Sequence, residues 1–444
     1  MSDTISTTPT YNLKVVVAET GIKPDTLRAW ERRYGLPQPQ RTAGKHRLYS
    51  QYDLETIKWL IARQAEGMSI SRAVKLFQQL KDEGQDPLYS YGGQVLESQP
   101  TAAISGTQIE ELRQVWLDAC SEFNEKAAEQ VLAQAFAIYP PEIVCLQLLM
   151  EGISIIGNRW YAGEATVQQE HFASSLAMRR LHTLVSAAPP PTRRERIIVG
   201  CPPQEDHAFV SLLITLLLRY RGWDVIYLGA DVPRERLEAT LDTIHPSLVL
   251  LSAQQLHTAA QLKHFAEFLN DQDVAVAFGG LIFNLLPELP ERIPGHFLGK
   301  LIKDVPHKVE NIISYHPPIP DILPMDRSYP AALSQFHRKQ SQIEAHVWQN
   351  FHGTEMPYEQ FVNVNMHMAR NIIAALTLGN MDYIGHELAW IKQLLANYQW
   401  PVEILYRYIL SYHEASALYL NGQGLPITDW LATVIENGNE SAGE

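Results

Sequence analysis

Between residues 195 and 315, short apolar runs alternate with segments of helical period, and few folds accept that order. Ile197–Val199 reads as a short buried strand, Phe209–Arg221 as a helix and Asp224–Tyr227 as a strand. A helix from Arg234, a strand at Leu248–Leu251, a helix from Thr258 and a strand at Val274–Phe278 follow. Strands alternating with helices predict a doubly wound parallel sheet. Ligands of such sheets sit beyond the carboxyl ends of the strands.

The rest of the 444 residues is organised around this segment. Residues 82–106 lack any sustained period and are rich in Gly, Ser, Pro and acids, which reads as a linker. A Pro-rich joint at 188–194 and five prolines in His316–Pro330 mark two further breaks. The expected order is a head at 1–80, a linker at 81–106, a helical bundle at 107–190, the α/β domain at 195–315 and a helical domain at 331–444. Leu112, Trp116, Ala119, Cys120 and Phe123 carry the helical period of the second segment, and Ile143–Ile156 continues it.

Charge separates the head from the body. Residues 1–80 hold 12 Lys and Arg against 7 Asp and Glu, a net of +5, while the whole chain is −13. Cys120, Cys145 and Cys201 match no zinc or redox spacing, and their odd, low number suggests a reducing compartment. The first ten residues lack the apolar core of a secretory signal, and no apolar run approaches a membrane span. The expectation is a cytoplasmic protein with no membrane partner.

In the head, residues 13–20 read as a short helix, with a turn at Gly21–Lys23. Pro24 can open the next helix, because its missing N–H costs nothing in a first turn. Asp25–Tyr34 forms that helix and stops at Gly35. Arg28 and Arg32 lie four apart on one face, with Arg33 beside them, while Leu27 and Trp30 pack inward. Such a helix suits insertion into the major groove. Arg41, Lys45 and Arg47 flank or occupy a Gly-Lys-His-Arg run that suits a β-wing meeting phosphates. Ser50 with Asp53 is a variant capping box opening a further helix. The alternative is a solvated basic helix. The run LRAWERRYGLPQPQRTAGKHRLYS resembles the winged helix-turn-helix of MerR-family regulators over about residues 10–80. That resemblance implies a dimeric head on double-stranded operator DNA, with Arg28, Arg32 and Arg47 approaching it. Lys23 stands where the family usually has a capping Ser or Thr.

Two motifs mark a candidate pocket. After the first strand of the α/β segment comes Cys201–Val210, containing Glu205, Asp206 and His207. A histidine can bind a metal through one ring nitrogen while the other donates to a carboxylate. A solvated Glu-Asp-His loop is the alternative. Upstream, Trp160 is followed after nine residues by Glu170 and His171, and Thr166 with Gln169 forms a capping-box pattern before them. A core aromatic and a solvent-facing pair would explain the same residues.

The loop, with the later RYRGWDVIYLGADVP, resembles the cobalamin-binding domain of methionine synthase and related proteins. The resemblance implies His207 as lower axial ligand of cobalt, Glu205 as its hydrogen-bond partner, and Ser252, Gly279 and Gly280 along the nucleotide tail. Val210 replaces the glycine of the loop motif, and Gln254 replaces the usual leucine two places after the serine. The Trp–Glu-His spacing resembles the light-sensing, adenosylcobalamin-dependent repressors of carotenoid genes. In that family the Trp and Glu-His pair enclose the 5′-deoxyadenosyl group, which places Trp160, Glu170 and His171 there. Tyr161 stands where that family commonly has a histidine. The resemblance implies a non-enzymatic, light-responsive regulator that assembles as a homo-oligomer, dimer or tetramer. A light-insensitive cobalamin sensor, a cobalamin-free regulator and a cobalamin-dependent carrier or enzyme are the alternatives.

The last 130 or so residues read as four or five helices rich in aromatics and histidines. They form either a plain helical dimerisation or effector module or a pocket for a noncovalent bilin such as biliverdin. With no cysteine in this segment, a thioether link from within it is excluded.

Overall fold

The computed structural model describes residues 8–20, 22–41, 47–65, 70–82, 87, 108–351, 358–385, 388, 391, 401 and 403–441. The expected linker lies almost wholly outside them. The chain forms two compact units, residues 1–103 and 104–444.

In the first unit, strand β1 (Tyr11–Asn12) leads into helix α1 (Leu13–Thr20), followed by α2 (Pro24–Tyr34). Strands β2 (Gln40–Arg41) and β3 (Arg47–Tyr49) follow, then α3 (Gln51–Ala65) and α4 (Ile70–Asp82). Both β1 and β2 pair antiparallel to β3, which makes the expected wing. Pro24 opens α2 after an extended Lys23 that supplies no side-chain cap, and Gly35 closes it at φ 70°, donating to the Glu31 carbonyl. Ser50 and Asp53 cap α3 reciprocally: the Asp53 N–H donates to Ser50 Oγ at 3.1 Å, and the Ser50 N–H to Asp53 Oδ2 at 2.9 Å. The other Asp53 oxygen accepts the Gln38 N–H at 3.1 Å, tying the chain after α2 to the start of α3. Leu27, Trp30, Tyr49, Ile57 and Phe77 form the core, where each large side chain contributes about 1.5–3 kcal/mol of burial.

The second unit begins with a bundle of α5 (Ile109–Ser121), α6 (Glu125–Ile138), α7 (Pro141–Ile143), α8 (Glu151–Tyr161) and α9 (Val167–Ser186). A π-helical segment, Val144–Met150, joins α7 to α8. Trp116 is fully buried against α8; a Cβ on Gly152 would lie 2.8 Å from its ring. The Thr166–Gln169 capping box opens α9, and Gln169 Nε2 also donates to the Ser121 carbonyl at 2.8 Å.

The α/β part follows, with β4 (Arg196–Gly200), α10 (Phe209–Tyr220), β5 (Asp224–Gly229), α11 (Leu237–Ile244), β6 (Leu248–Ser252), α12 (Leu256–Asp271) and β7 (Val276–Gly279). Helix α13 (Leu281–Leu285), β8 (His296–Phe297) and α14 (Val305–Tyr315) complete it. The five strands are parallel, in the order β5-β4-β6-β7-β8. The expected strands are present to within two residues. Helix α11 starts at Leu237 rather than Arg234, because Arg236 sits left-handed at φ 62°. Helix α10 is apolar all round for a reason: Ile214 and Leu218 face the sheet, while Leu212, Leu213, Leu216 and Leu217 face the bundle.

The C-terminal segment includes helices α15 (Ser328–Phe351), α16 (Tyr358–Leu378), α17 (Glu403–Tyr419) and α18 (Leu425–Ser441). Helix α16 packs along α12, and one continuous apolar core runs from the sheet through α12 into these helices. Phe361, Tyr408 and Tyr412 are buried in that core, and Tyr408 donates to Asn365 Oδ1 at 2.6 Å. Trp390, Tyr398 and Trp400 lie outside the described residues. Among the described residues, no helix is long and apolar enough to cross a membrane.

Candidate functional site

The loop after β4 lies where the strand order reverses, since β5 flanks β4 on one side and β6 on the other. In parallel sheets this crevice is where ligands are held. Glu205 is fully buried there, and its carboxylate is saturated. Oε1 accepts the His207 backbone N–H at 3.0 Å and lies 2.7 Å from His207 Nδ1. Oε2 accepts the Gln254 N–H at 2.7 Å and the Thr258 hydroxyl at 2.6 Å. Burial pushes the carboxyl pKa up, but the hydrogen bonds from His207, Thr258 and the two backbone amides outweigh it and hold Glu205 below the usual range. The hydrogen bond to Glu205 raises the His207 pKa against an opposing effect of burial, and the charges of Glu205, Asp206 and Glu170 add to the rise. With Nδ1 held by Glu205, Nε2 is the ring nitrogen left for a metal, and 60% of the side chain is exposed. Gln254 and Thr258 were not singled out as partners of Glu205 from sequence. Thr258 stands at the start of α12, where a threonine reads as a cap.

Ser252 ends β6 opposite Gly279 of β7. It is 1% exposed, and its Oγ accepts from Gln254 Nε2 at 2.7 Å, while Gln254 Oε1 accepts the Leu281 N–H at 2.9 Å. Gln254 therefore bridges the ends of β6 and β7. The two glycines differ. Gly280 has φ 130°, and a Cβ there would fall 1.8 Å from the Ala253 carbonyl oxygen, so the chain's own backbone demands glycine. A Cβ on Gly279 would meet nothing within 4 Å, so open space adjoins it.

On the bundle side, Trp160 lies half-buried one residue before the end of α8, and Glu170 and His171 lie in the first turns of α9. Glu170 Oε2 is 2.7 Å from His171 Nδ1, and Oε1 accepts the Ser174 hydroxyl at 2.6 Å. Helices α8 and α9 pack together, and α9 packs on α10 directly after the His207 loop. A single imidazole suits a metal that brings equatorial ligands of its own. The exposed His207, the open space at Gly279 and the polar pair on α9 fit the cobalamin expected from sequence.

In the head, Leu27 and Trp30 are buried while Arg28, Arg32 and Arg33 are exposed on α2. Arg47 is differently engaged: its Nε lies 2.7 Å from Glu31 Oε2, and the buried Tyr49 hydroxyl donates to Glu31 Oε1 at 2.6 Å. That contact binds the wing strand to α2. Burial first, and then the Glu31 hydrogen bond, push the Tyr49 pKa up. The backbone of Arg41 is in β2; its side chain and Lys45 lie outside the described residues.

Residues 11–80 match the family of MerR HTH family regulatory proteins. Residues 112–184 and 195–298 each match a B12 binding domain family. The HTH-type transcriptional repressor CarH of Myxococcus xanthus is 33% identical over 243 residues, covering 55% of this chain and 78% of CarH. The HTH-type transcriptional repressor CarA of the same organism is 31% identical over 265 residues, covering 59% of this chain and 82% of CarA. The HTH-type transcriptional regulator MlrA of Escherichia coli (strain K12) is 41% identical over 66 residues, 15% of this chain and 27% of MlrA.

Proposed function

The chain belongs to the family of HTH-type transcriptional repressors that includes CarH and CarA, a transcriptional regulator with a cobalamin-binding domain, and from this we propose that it holds adenosylcobalamin and couples light to operator binding. The observation that carries the reading is the Glu205–His207 pair at the reversal of the sheet.

In this reading His207 is the lower cobalt ligand through Nε2, and Glu205 fixes its tautomer. Ser252, Gly279 and Gly280 border the nucleotide tail. Trp160, Glu170 and His171 enclose the adenosyl group. Adenosylcobalamin supplies, when bound, a Co–C bond that light cleaves. The chain's part is a bundle whose closed arrangement over the His207 loop is favoured in the dark, and a homo-oligomer that brings several heads to one operator. Coupling is then a difference of affinity for two arrangements, and about 1–3 kcal/mol of it changes DNA affinity roughly 5–150-fold. Several heads per operator amplify this through effective concentration. Arg28, Arg32 and Arg33 on α2 face the DNA.

The test is a visible spectrum of protein loaded with adenosylcobalamin in the dark, followed by illumination, sizing and an operator mobility shift. Corrinoid absorbance that changes with light, together with a smaller assembly and weaker DNA binding, is the expected outcome. Bound but light-insensitive absorbance would reduce the reading to a cobalamin sensor, and no bound corrinoid would remove it.

A further inference from the structure

The C-terminal helices are joined to the cofactor site through one helix, α12. Its first turn and the residues just before it grip Glu205 through the oxygen that His207 does not contact: the Thr258 hydroxyl and the Gln254 N–H both donate to Oε2, at 2.6 and 2.7 Å. From the other side, α16 holds α12 at two points. Lys263 Nζ, on a residue only 7% exposed, donates to the Thr377 carbonyl at 2.9 Å. Arg370 Nη2 lies 3.3 Å from Nε2 of His257, the residue before Thr258. A guanidinium always donates, so His257 Nε2 accepts.

The Arg370 contact is made at a cost. Its Nε is buried without a hydrogen-bond partner, and leaving such a donor unpaired is destabilising. An arginine extended into water would avoid that cost. What Arg370 reaches is the turn that carries Thr258. Hydrogen bonds of this length weaken steeply with displacement. A small movement of that turn therefore loosens the Thr258 bond, one of four on a fully buried carboxylate, and pulls on the adjoining residues that carry the Gln254 N–H.

We propose that Arg370 of the C-terminal helical domain is a positioning residue for the cobalamin site, holding His257 and with it the α12 turn through which Thr258 and Gln254 fix Glu205 beneath His207. The proposal rests on the reading of His207 as the lower ligand. It gives the C-terminal helices a role at the site without a chromophore of their own: whatever shifts α16 shifts the hold on the cofactor.

The test uses the full chain labelled with 15N-histidine, titrated with cobalamin and read by electron paramagnetic resonance of the cob(II)alamin form. A labelled histidine on cobalt turns the nitrogen splitting from a triplet into a doublet, which separates His207 from the cofactor's own base. Arg370→Ala is expected to weaken cobalamin binding roughly threefold to tenfold and to lower the doublet fraction. His257→Leu, which has no acceptor to offer at the other end of the contact, should do the same, and the double variant should be little worse than either alone. Arg338→Ala, at an exposed position on α15, should leave both readouts unchanged. Wild-type affinity and a full doublet in Arg370→Ala and His257→Leu would overturn the proposal, even if their thermal stability fell. His207→Ala separates the two readings. If it retains the doublet, the lower-ligand assignment fails; if it loses the doublet while the other variants keep it, only the role of Arg370 fails.

Discussion

Glu205 and His207 are joined twice, because one carboxylate oxygen, Oε1, accepts the His207 backbone N–H and also contacts its Nδ1. The imidazole is thereby fixed in position and in tautomer by a residue that water does not reach.

Glu205→Gln tests that arrangement with almost no change of shape. An amide carries one accepting oxygen, and its NH2 must face donors on the other side, either His207 or the Gln254 N–H and Thr258 hydroxyl. Cobalamin binding should weaken about 10–100-fold, the range for loss of such a supporting partner, as measured by titration. Unchanged affinity would mean that the pair does not hold the cofactor.

The head should separate residues that contact DNA from those that build the wing. Arg28→Ala or Arg32→Ala should lower operator affinity and reduce the salt slope by about one per lost phosphate contact. Either variant should leave the cobalamin spectrum unchanged. Glu31→Ala should instead destabilise the head by about 1–3 kcal/mol, since it leaves the buried Tyr49 hydroxyl without its partner. Thermal melts beside mobility shifts would distinguish the two kinds of loss.

Gln254→Leu removes the side chain that bridges Ser252 and Leu281. In the proposed site, the Ser252 hydroxyl is then released to meet the nucleotide tail. Binding of complete cobalamin should tighten, whereas cobinamide, which lacks the tail, should bind as before. Equal changes for both ligands would place the tail elsewhere.

The three thiols should be inert in the native protein. Burial pushes Cys120 and Cys145 up to about 12 and Cys201 to about 11, the last against an opposing hydrogen bond with Ser211. At pH 8 the thiolate fraction is then about 0.1% or less, and the thiolate is the reacting species. Labelling with a thiol reagent should be slow at pH 8 and rise with pH or denaturant. Prompt labelling of the native chain would contradict the packing of α5, the π-helical segment and the β4 loop.

Strands β4, β6 and β7 are legible because they are buried on both faces and bounded by helices of clear period. Strand β8, two residues long, and the five-residue α13 offer no period to detect. The π-helical Val144–Met150 stays hidden because its apolar face resembles that of an ordinary helix. Glu205 and His207 stand out by their place after a strand, whereas Thr258 marks only where a helix is expected to start. Arg47 illustrates the opposite difficulty: a basic wing residue suggested phosphate contact, but its partner in this chain is Glu31, 16 positions earlier. Lys263, read from sequence alone, belongs on a solvated face. Only the docking of α16 explains its burial.

That docking also bears on how the chain is made. Helix α12 leaves the ribosome about 90 residues before α16 begins, an interval of roughly 5–20 s at ~5–20 residues per second. Until then, the flank on which α16 will lie meets water or a chaperone. A nascent chain stalled near residue 316 would present an open, sticky seam beside a nearly finished sheet. Completion of the last helices thus becomes a checkpoint on whether the sensory body persists in the cell at all.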